Sequence, residues 1–505
     1  MTRSGTLTWF AQHEIRLAWR DWLSMMTAGK RGRERKVAIA LIVFAAFMHL
    51  LAAAMLAPYA EAGPDKEVLV AITGVLLLAF SLMVSQAMES VTRAFYARAD
   101  LDLILSSPVD TRAVFAVRIA ANAVSIIVMG LLLASPFINV LVFLDGPRWL
   151  AAYGVVVAMG AAAAALAVAL TVALFRTIGP KRTRFIAQIV AAVIGAAFVI
   201  GLQVAAIFSY GTLSQTALLQ SALLVAHAPD VDSLLWLPAR AVLGDLTAFA
   251  PVLATGLALM ASAIVVFSGR FGEHALAAAG VASAVTQNMR VRFRSASPKR
   301  MLRQKEWKLL RRDPWLVSQS LMQILYLAPP ALLLWRSFGE GSDVFTLVVP
   351  VLTMASGQLA GGLAWLAISG EDAPDLVATA PVPAGWTLRA KIEAVMAAVA
   401  LVFAPFVVAL AFTSPWHALV AAGGIAVAGA SSTAIQLWFR SQAKRSHFRR
   451  RHTSSRVATF AEAFSSITWA GTFGLVAADT WLAVVPGVIA VCILAFARAL
   501  SPRHT

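Results

Sequence analysis

Apolar residues run along this chain in stretches of about 20, the length a helix needs to cross the hydrocarbon of a bilayer. The pattern predicts about twelve spans, at 37–59, 67–88, 113–143, 149–175, 185–209, 249–268, 317–336, 344–368, 392–412, 417–438, 457–477 and 481–497. One segment, 210–248, breaks the rhythm: Leu213–Val225 and Ser233–Leu246 are apolar but too short to cross. They read as interfacial or re-entrant helices on the extracytoplasmic side, with an extra pair of spans as the alternative.

Composition narrows the class. With 60% hydrophobic and 13% charged residues over 505 positions, the chain has more apolar side chain than a water-soluble fold can hide. The fold class is therefore all-α, a polytopic helical membrane protein. The net charge of +17 does not point to nucleic acid, because the cations fall between apolar runs. Of the 42 Lys and Arg residues, all but Lys66, Arg148, Arg240 and Arg336 lie in the termini and the even-numbered connections. That is the positive-inside pattern, and it places both termini in the cytoplasm. Met1–Lys36 is basic and amphipathic without the apolar core of a cleavable signal. The one cysteine, Cys492, excludes an intrachain disulfide and a cysteine-based metal site.

An internal repeat divides the chain. EIRLAWRD over Glu14–Asp21, followed by Trp22-Leu23, returns as EWKLLRRD over Glu306–Asp313, followed by Pro314 and Trp315-Leu316. Asp102-Leu103, Pro108-Val109 and Arg118-Ile119 return at constant spacing as Asp375-Leu376, Pro381-Val382 and Lys391-Ile392. Ser135-Pro136-Phe137 returns as Ala404-Pro405-Phe406. Three landmarks in one order predict two parallel six-span halves. The first half covers 1–268, a cytoplasmic linker 269–298, and the second half 299–505. Only the first carries the 210–248 insertion; in the second, Ala478-Asp479-Thr480 joins the last two spans.

Each half opens on an amphipathic elbow helix, 7–27 and 299–313. In the first, Gln12, Arg16 and Arg20 share a face with His13 beside them, and Ile15, Trp19, Trp22 and Met26 form the opposite stripe. Such a helix lies along the cytoplasmic interface, as an anchor or as a contact for a partner. Recurrence before the seventh span favours the contact, with Glu14, Asp21, Glu306, Arg312, Asp313 and Trp315 as candidates. The loops 89–112 and 369–391 each carry acids followed by proline: Arg93, Arg98, Asp100, Asp102 and Pro108, then Glu371, Asp372, Asp375 and Pro381. Proline ends a helix and stiffens the turn, which makes each loop a knob that a cytoplasmic protein can push.

No Gly-x-x-x-x-Gly-Lys-Ser/Thr, His-Glu-x-x-His or Gly-x-Ser-x-Gly sequence occurs, so neither ATP hydrolysis by a phosphate loop nor zinc or serine hydrolase chemistry has a carrier here. The pattern puts no acid near a span centre, with Glu89, Glu393 and Glu462 close to cytoplasmic ends; an ion-driven carrier normally needs central acids. Neutral polar residues, among them Asn122, Asn139, Gln188, Gln203, Gln323 and Gln358, either line a path or tie helices together. Gly357-x-x-x-Gly361 permits close helix approach.

Elbow, six spans and a cytoplasmic loop between the second and third spans, twice over, resemble the permeases of type-2 ATP-binding-cassette exporters. The strings DLDLILSSPV over Asp100–Val109 and GEDAPDLVATAPVP over Gly370–Pro383 resemble bacterial members with both halves fused. The resemblance implies two copies of a separate ATPase subunit beneath the chain, with ATP and Mg bound by that partner and no cofactor bound here. It implies force transfer through the elbows and the two loops, and export of a substrate whose amphiphilic or lipid-like nature the sparsely charged spans suggest. A twelve-span secondary carrier is the alternative, and a lipid-modifying transferase stands third.

Overall fold

The computed structural model describes residues 7–27, 34–56, 65–96, 111–210, 222–282, 297–312, 343–369, 381–439 and 456–501, with six isolated positions at Leu325, Ala328, Pro329, Leu332, Val377 and Thr379. Among these residues the protein is helical and contains no strand. It is a membrane-embedded helical protein. Nine described helical segments are long and apolar enough to cross a bilayer: Lys66–Thr92, Arg112–Asp145, Pro147–Ile178, Phe185–Val204, Leu246–Gly269, Leu347–Ile368, Gly385–Thr413, Pro415–Phe439 and Trp481–Leu500. Each coincides with a predicted span. Helices at Glu34–Leu56 and Arg456–Ala477 occupy the first and eleventh predicted positions. The seventh, 317–336, lies almost wholly outside the described residues.

The chain forms two compact units, Met1–Leu202 with Ser214–Val285, and Gln203–Leu213 with Thr286–Thr505. The first contains α1 (Leu7–Thr27), α2 (Glu34–Leu56), α3 (Lys66–Tyr96), α4 (Thr111–Asp145), α5 (Ala151–Ile178), most of α6 (Pro180–Tyr210), the short α7 (Ala222–His227) and α8 (Leu237–Val242), and α9 (Leu246–Ala282). Its centre is α5, whose small side chains leave room for neighbours: Ala161, Ala163, Ala164, Ala167 and Val168 are buried with Met88 of α3 and Phe115 and Ile119 of α4. A Cβ on Gly160 would lie 3.2 Å from the Cα of Ile127 on α4, and a Cβ on Gly256 of α9 would lie 2.5 Å from the carbonyl oxygen of Ala158. Close backbone approach of this kind holds helices together where lipid offers no hydrophobic drive between them.

At the α4–α5 end of this unit the described part of the 210–248 insertion folds as a cap. Residues 222–245 hold α7 and α8, six residues each, and a three-residue turn of 3₁₀ helix at Leu234–Trp236. None is long enough to cross a bilayer, so an extra pair of spans is not realised over these residues. Trp236 is buried with Leu69, Val70 and Ala239 and donates its indole N–H to the carbonyls of Pro229 and Asp230. Gly244 turns the chain at φ +93°, a left-handed conformation, where a side chain would also strike Arg148 at 2.8 Å. Asp245 then caps α9, accepting from the backbone N–H and hydroxyl of Thr247, and holds the Arg240 guanidinium.

The second unit contains α10 (Pro298–Arg312), α11 (Asp343–Ser369), α12 (Ala384–Thr413), α13 (Pro415–Phe439), α14 (Arg456–Ala477) and α15 (Val484–Leu500). Here α11 and α13 are central, burying Leu352, Leu359, Leu363, Leu366, Val420, Ala421 and Ile425 against Val399, Phe403 and Leu410 of α12. Ala478–Thr480 makes the tight α14 exit, and His417 at the start of α13 reaches across to the Ala477 carbonyl at 3.2 Å while Ser414 lies 2.7 Å from its other ring nitrogen.

Candidate functional site

The two amphipathic helices that open the predicted halves are tied down in the same way. In the first unit the Glu14 carboxylate of α1 lies 3.7 Å from the guanidinium of Arg118 on α4, and both side chains are shielded, at 13% and 2% exposure. Arg118 also rests over the Phe115 ring. In the second unit Glu306 of α10, 2% exposed, receives the ammonium of Lys391 on α12 at 3.2 Å, and Lys391 donates as well to the Ala367 carbonyl of α11. Two further contacts run along the same helix pair: Arg303 with Glu393 at 2.5 Å, and Lys299 over the Trp386 ring at 4.8 Å.

These clamps join two sequence landmarks in each unit. The repeated glutamate of the elbow meets the repeated cation that follows the loop: Glu14 with Arg118, Glu306 with Lys391. The two glutamates meet cations of their own unit, and Arg16, Arg20 and Lys308 are among the residues the elbows expose. Polar and charged residues on an amphipathic helix look alike to a periodicity argument whether they meet water or a cation on the next helix.

Other candidate positions divide in two. Asn122 accepts from the Ser90 hydroxyl at 3.2 Å and ties α3 to α4. Asn139 accepts from the Tyr153 hydroxyl at 2.6 Å and contacts His49 at 3.2 Å, joining α2, α4 and α5. Both serve as helix ties. Gln203 and Gln358 are half-buried in α6 and α11, and Pro381 is exposed just before α12. Arg98, Asp100, Asp102 and Pro108, then Asp313, Trp315 and Gln323, and Glu371, Asp372 and Asp375 lie outside the described residues, as do the side chains of Asp21, Trp22 and Arg312.

A second feature, in the α11–α13–α14 core of the second unit, lies outside the candidate coupling and pathway residues. Glu462 and Ser466 stand one turn apart on α14 and face Gly361 and Gly357, one turn apart on α11. A Cβ on Gly361 would fall 1.9 Å from the Glu462 carboxylate, and one on Gly357 would fall 2.4 Å from the Ser466 hydroxyl. From α13, Gln436 donates its amide N–H to Glu462 at 2.5 Å, and the Ser432 hydroxyl lies 3.3 Å from that of Ser466. Three helices thus meet in a polar seam two turns long. Glu462 is half-buried where these helices pack, six residues into α14 and close to the span end at which the sequence places it. The Gly357-x-x-x-Gly361 motif was the one visible signal, but nothing in the sequence says which residue fills the space those glycines leave.

No group of three or more His, Cys, Asp or Glu side chains that could hold a metal occurs among the described residues. No family model, curated protein or solved structure matches this chain.

Proposed function

We propose that this chain is the membrane-spanning permease subunit of an ATP-binding-cassette transporter, exporting an amphiphilic or lipid-like substrate with ATP hydrolysed by a separate subunit. In this reading the chain has twelve spans in two parallel repeats, sits in a bacterial inner membrane with both termini cytoplasmic, and is met from below by two ATPase copies that bind ATP and Mg. The observation that carries it is the recurrence of one clamp. Each elbow helix is joined by a shielded ion pair to the first turns of a membrane-spanning helix, so a push on the elbow or on the adjoining loop is delivered to the span. A single anchor has no need of a second copy in mid-chain. The sequence supplies two such handles and no phosphate-binding loop to drive them.

One observation favours the secondary carrier instead: Glu462 is an acid within the spanning bundle, the feature a carrier driven by an ion gradient uses. Affinity purification of the tagged chain from its native membranes in mild detergent discriminates the two. Retention of a cassette ATPase at about two copies per chain is the expected result; a chain that emerges without any ATPase contradicts the proposal.

A further inference from the structure

The seam in the second unit holds the lone acid of the apolar parts of its helices. Leu347–Ile368 of α11 has no titratable residue, and α13 has only His417, at its far end and engaged with Ser414 and Ala477. On α15 the titratable residues are Cys492 and Arg498, and the Arg498 guanidinium lies over the Trp438 ring at 5.3 Å. On α14 itself Arg456 stands six positions before Glu462. Among the described residues Glu462 makes no ion pair, and its partner is the neutral amide of Gln436.

An ionised carboxylate held among apolar helices, with no cation beside it among the described residues, is costly, and the usual resolution is a proton. The surroundings suit exchange of that proton. As a carboxylate, Glu462 accepts from the Gln436 amide N–H; as an acid it also has an O–H to donate, which the amide oxygen accepts once the amide turns over. Gly361 leaves the space in which this carboxyl sits, and Ser432 and Ser466 continue the polar line one turn deeper.

We propose that Glu462, seated on Gly361 and hydrogen-bonded to Gln436, is a proton-binding site within the membrane-spanning part of the second unit. The step is simple: the acid releases a proton and leaves a carboxylate, and the reverse restores it, with no other reactant. Gain or loss of the proton changes the contact between α13 and α14, so protonation and packing of the second unit are coupled. This goes beyond the transporter assignment and does not depend on it.

The test is infrared difference spectroscopy of the full chain, wild type against Glu462→Gln, in a maltoside detergent that has no carbonyl band of its own. The expected wild-type spectrum carries a carboxylic-acid C=O band at neutral pH that downshifts in D2O, is lost on alkalinisation and is missing from Glu462→Gln. Gly361→Ala reaches the same group by another route: its new Cβ displaces the carboxyl, and the band should move or vanish. If Glu462 contributes only carboxylate bands from mildly acidic to mildly alkaline pH, or if the acid band survives both substitutions, the proposal is overturned. Neither ATPase nor substrate enters the measurement, so its failure leaves the transporter assignment untouched.

Discussion

Three acids, Glu306, Asp245 and Glu462, show three ways of holding a carboxyl in place, and each makes a separate demand on its neighbours. Glu306 is answered by a cation. Replacing Lys391 by Met removes the shielded cation and leaves the more exposed Lys305, at 3.7 Å, beside that carboxylate, a loss bounded by the about 3–5 kcal/mol of breaking a buried pair. The thermal unfolding midpoint of Lys391→Met in detergent should fall clearly, and Glu306→Leu with Lys391→Met should recover most of the loss; equal loss in the double variant contradicts the pairing. Asp245 is answered by hydrogen bonds. The Thr247 hydroxyl first and the Arg240 guanidinium second hold its carboxyl down to about 2, from an ordinary 3.8. A carboxyl depressed on folding stabilises the fold above its unfolded value, and that contribution disappears as pH falls through about 2. Asp245→Asn should therefore unfold the cap at lower temperature near neutrality, and should lose the acid-range dependence between 3.8 and about 2 seen in wild type. Trp236, buried in the cap, is the fluorescent reporter, its signal taken as the difference from a Trp236→Phe variant because the chain has 14 tryptophans. Glu462 is answered by an amide, and its proton is the subject of the infrared experiment.

At the scale of elements, the glycines of the two units do different work. On α9, a methyl at Gly256 would meet backbone atoms of Ala158, its carbonyl oxygen at 2.5 Å and its Cα at 2.7 Å, and backbone cannot step aside. On α11, a methyl at Gly361 would meet the tip of the Glu462 side chain, which can. Gly256→Ala should therefore cost about 1–3 kcal/mol by forcing α5 and α9 apart. Its unfolding midpoint should fall further than that of Gly361→Ala, and the reverse order would contradict the packing described. The apolar runs marked these helices well, because length and hydropathy are properties of one segment. What the runs could not mark was register between segments. The repeat identified Glu14, Arg118, Glu306 and Lys391 as equivalent landmarks, yet their pairing needs each elbow to lie along the start of a particular span, a tertiary fact. Likewise Glu462 lies six residues from a helix end in sequence but faces Gly361, eight residues from the end of α11; only the antiparallel register of α11 and α14 puts it inside. The 210–248 segment was legible as too short to cross, and the structure adds why it persists: Trp236 and the Lys66–Asp230 pair at 3.1 Å fasten it to the start of α3.

At the scale of the molecule, two units each present a clamped amphipathic helix, and one of them also holds a half-buried acid between its helices. The clamps fit an imposed push, because a helix pinned to a span moves the span. That acid fits a bundle whose packing senses protons. In the proposed transporter, ATP supplies the energy and Glu462 tunes one unit's response; in a secondary carrier, the proton itself supplies it. Inside-out membrane vesicles containing the chain and its native partners separate the two through uptake of a fluorescent amphiphile. The account predicts uptake that requires ATP hydrolysis and persists when an uncoupler collapses the proton gradient. Uptake sustained by an imposed proton gradient after ATP is depleted, and abolished by the uncoupler, would contradict it.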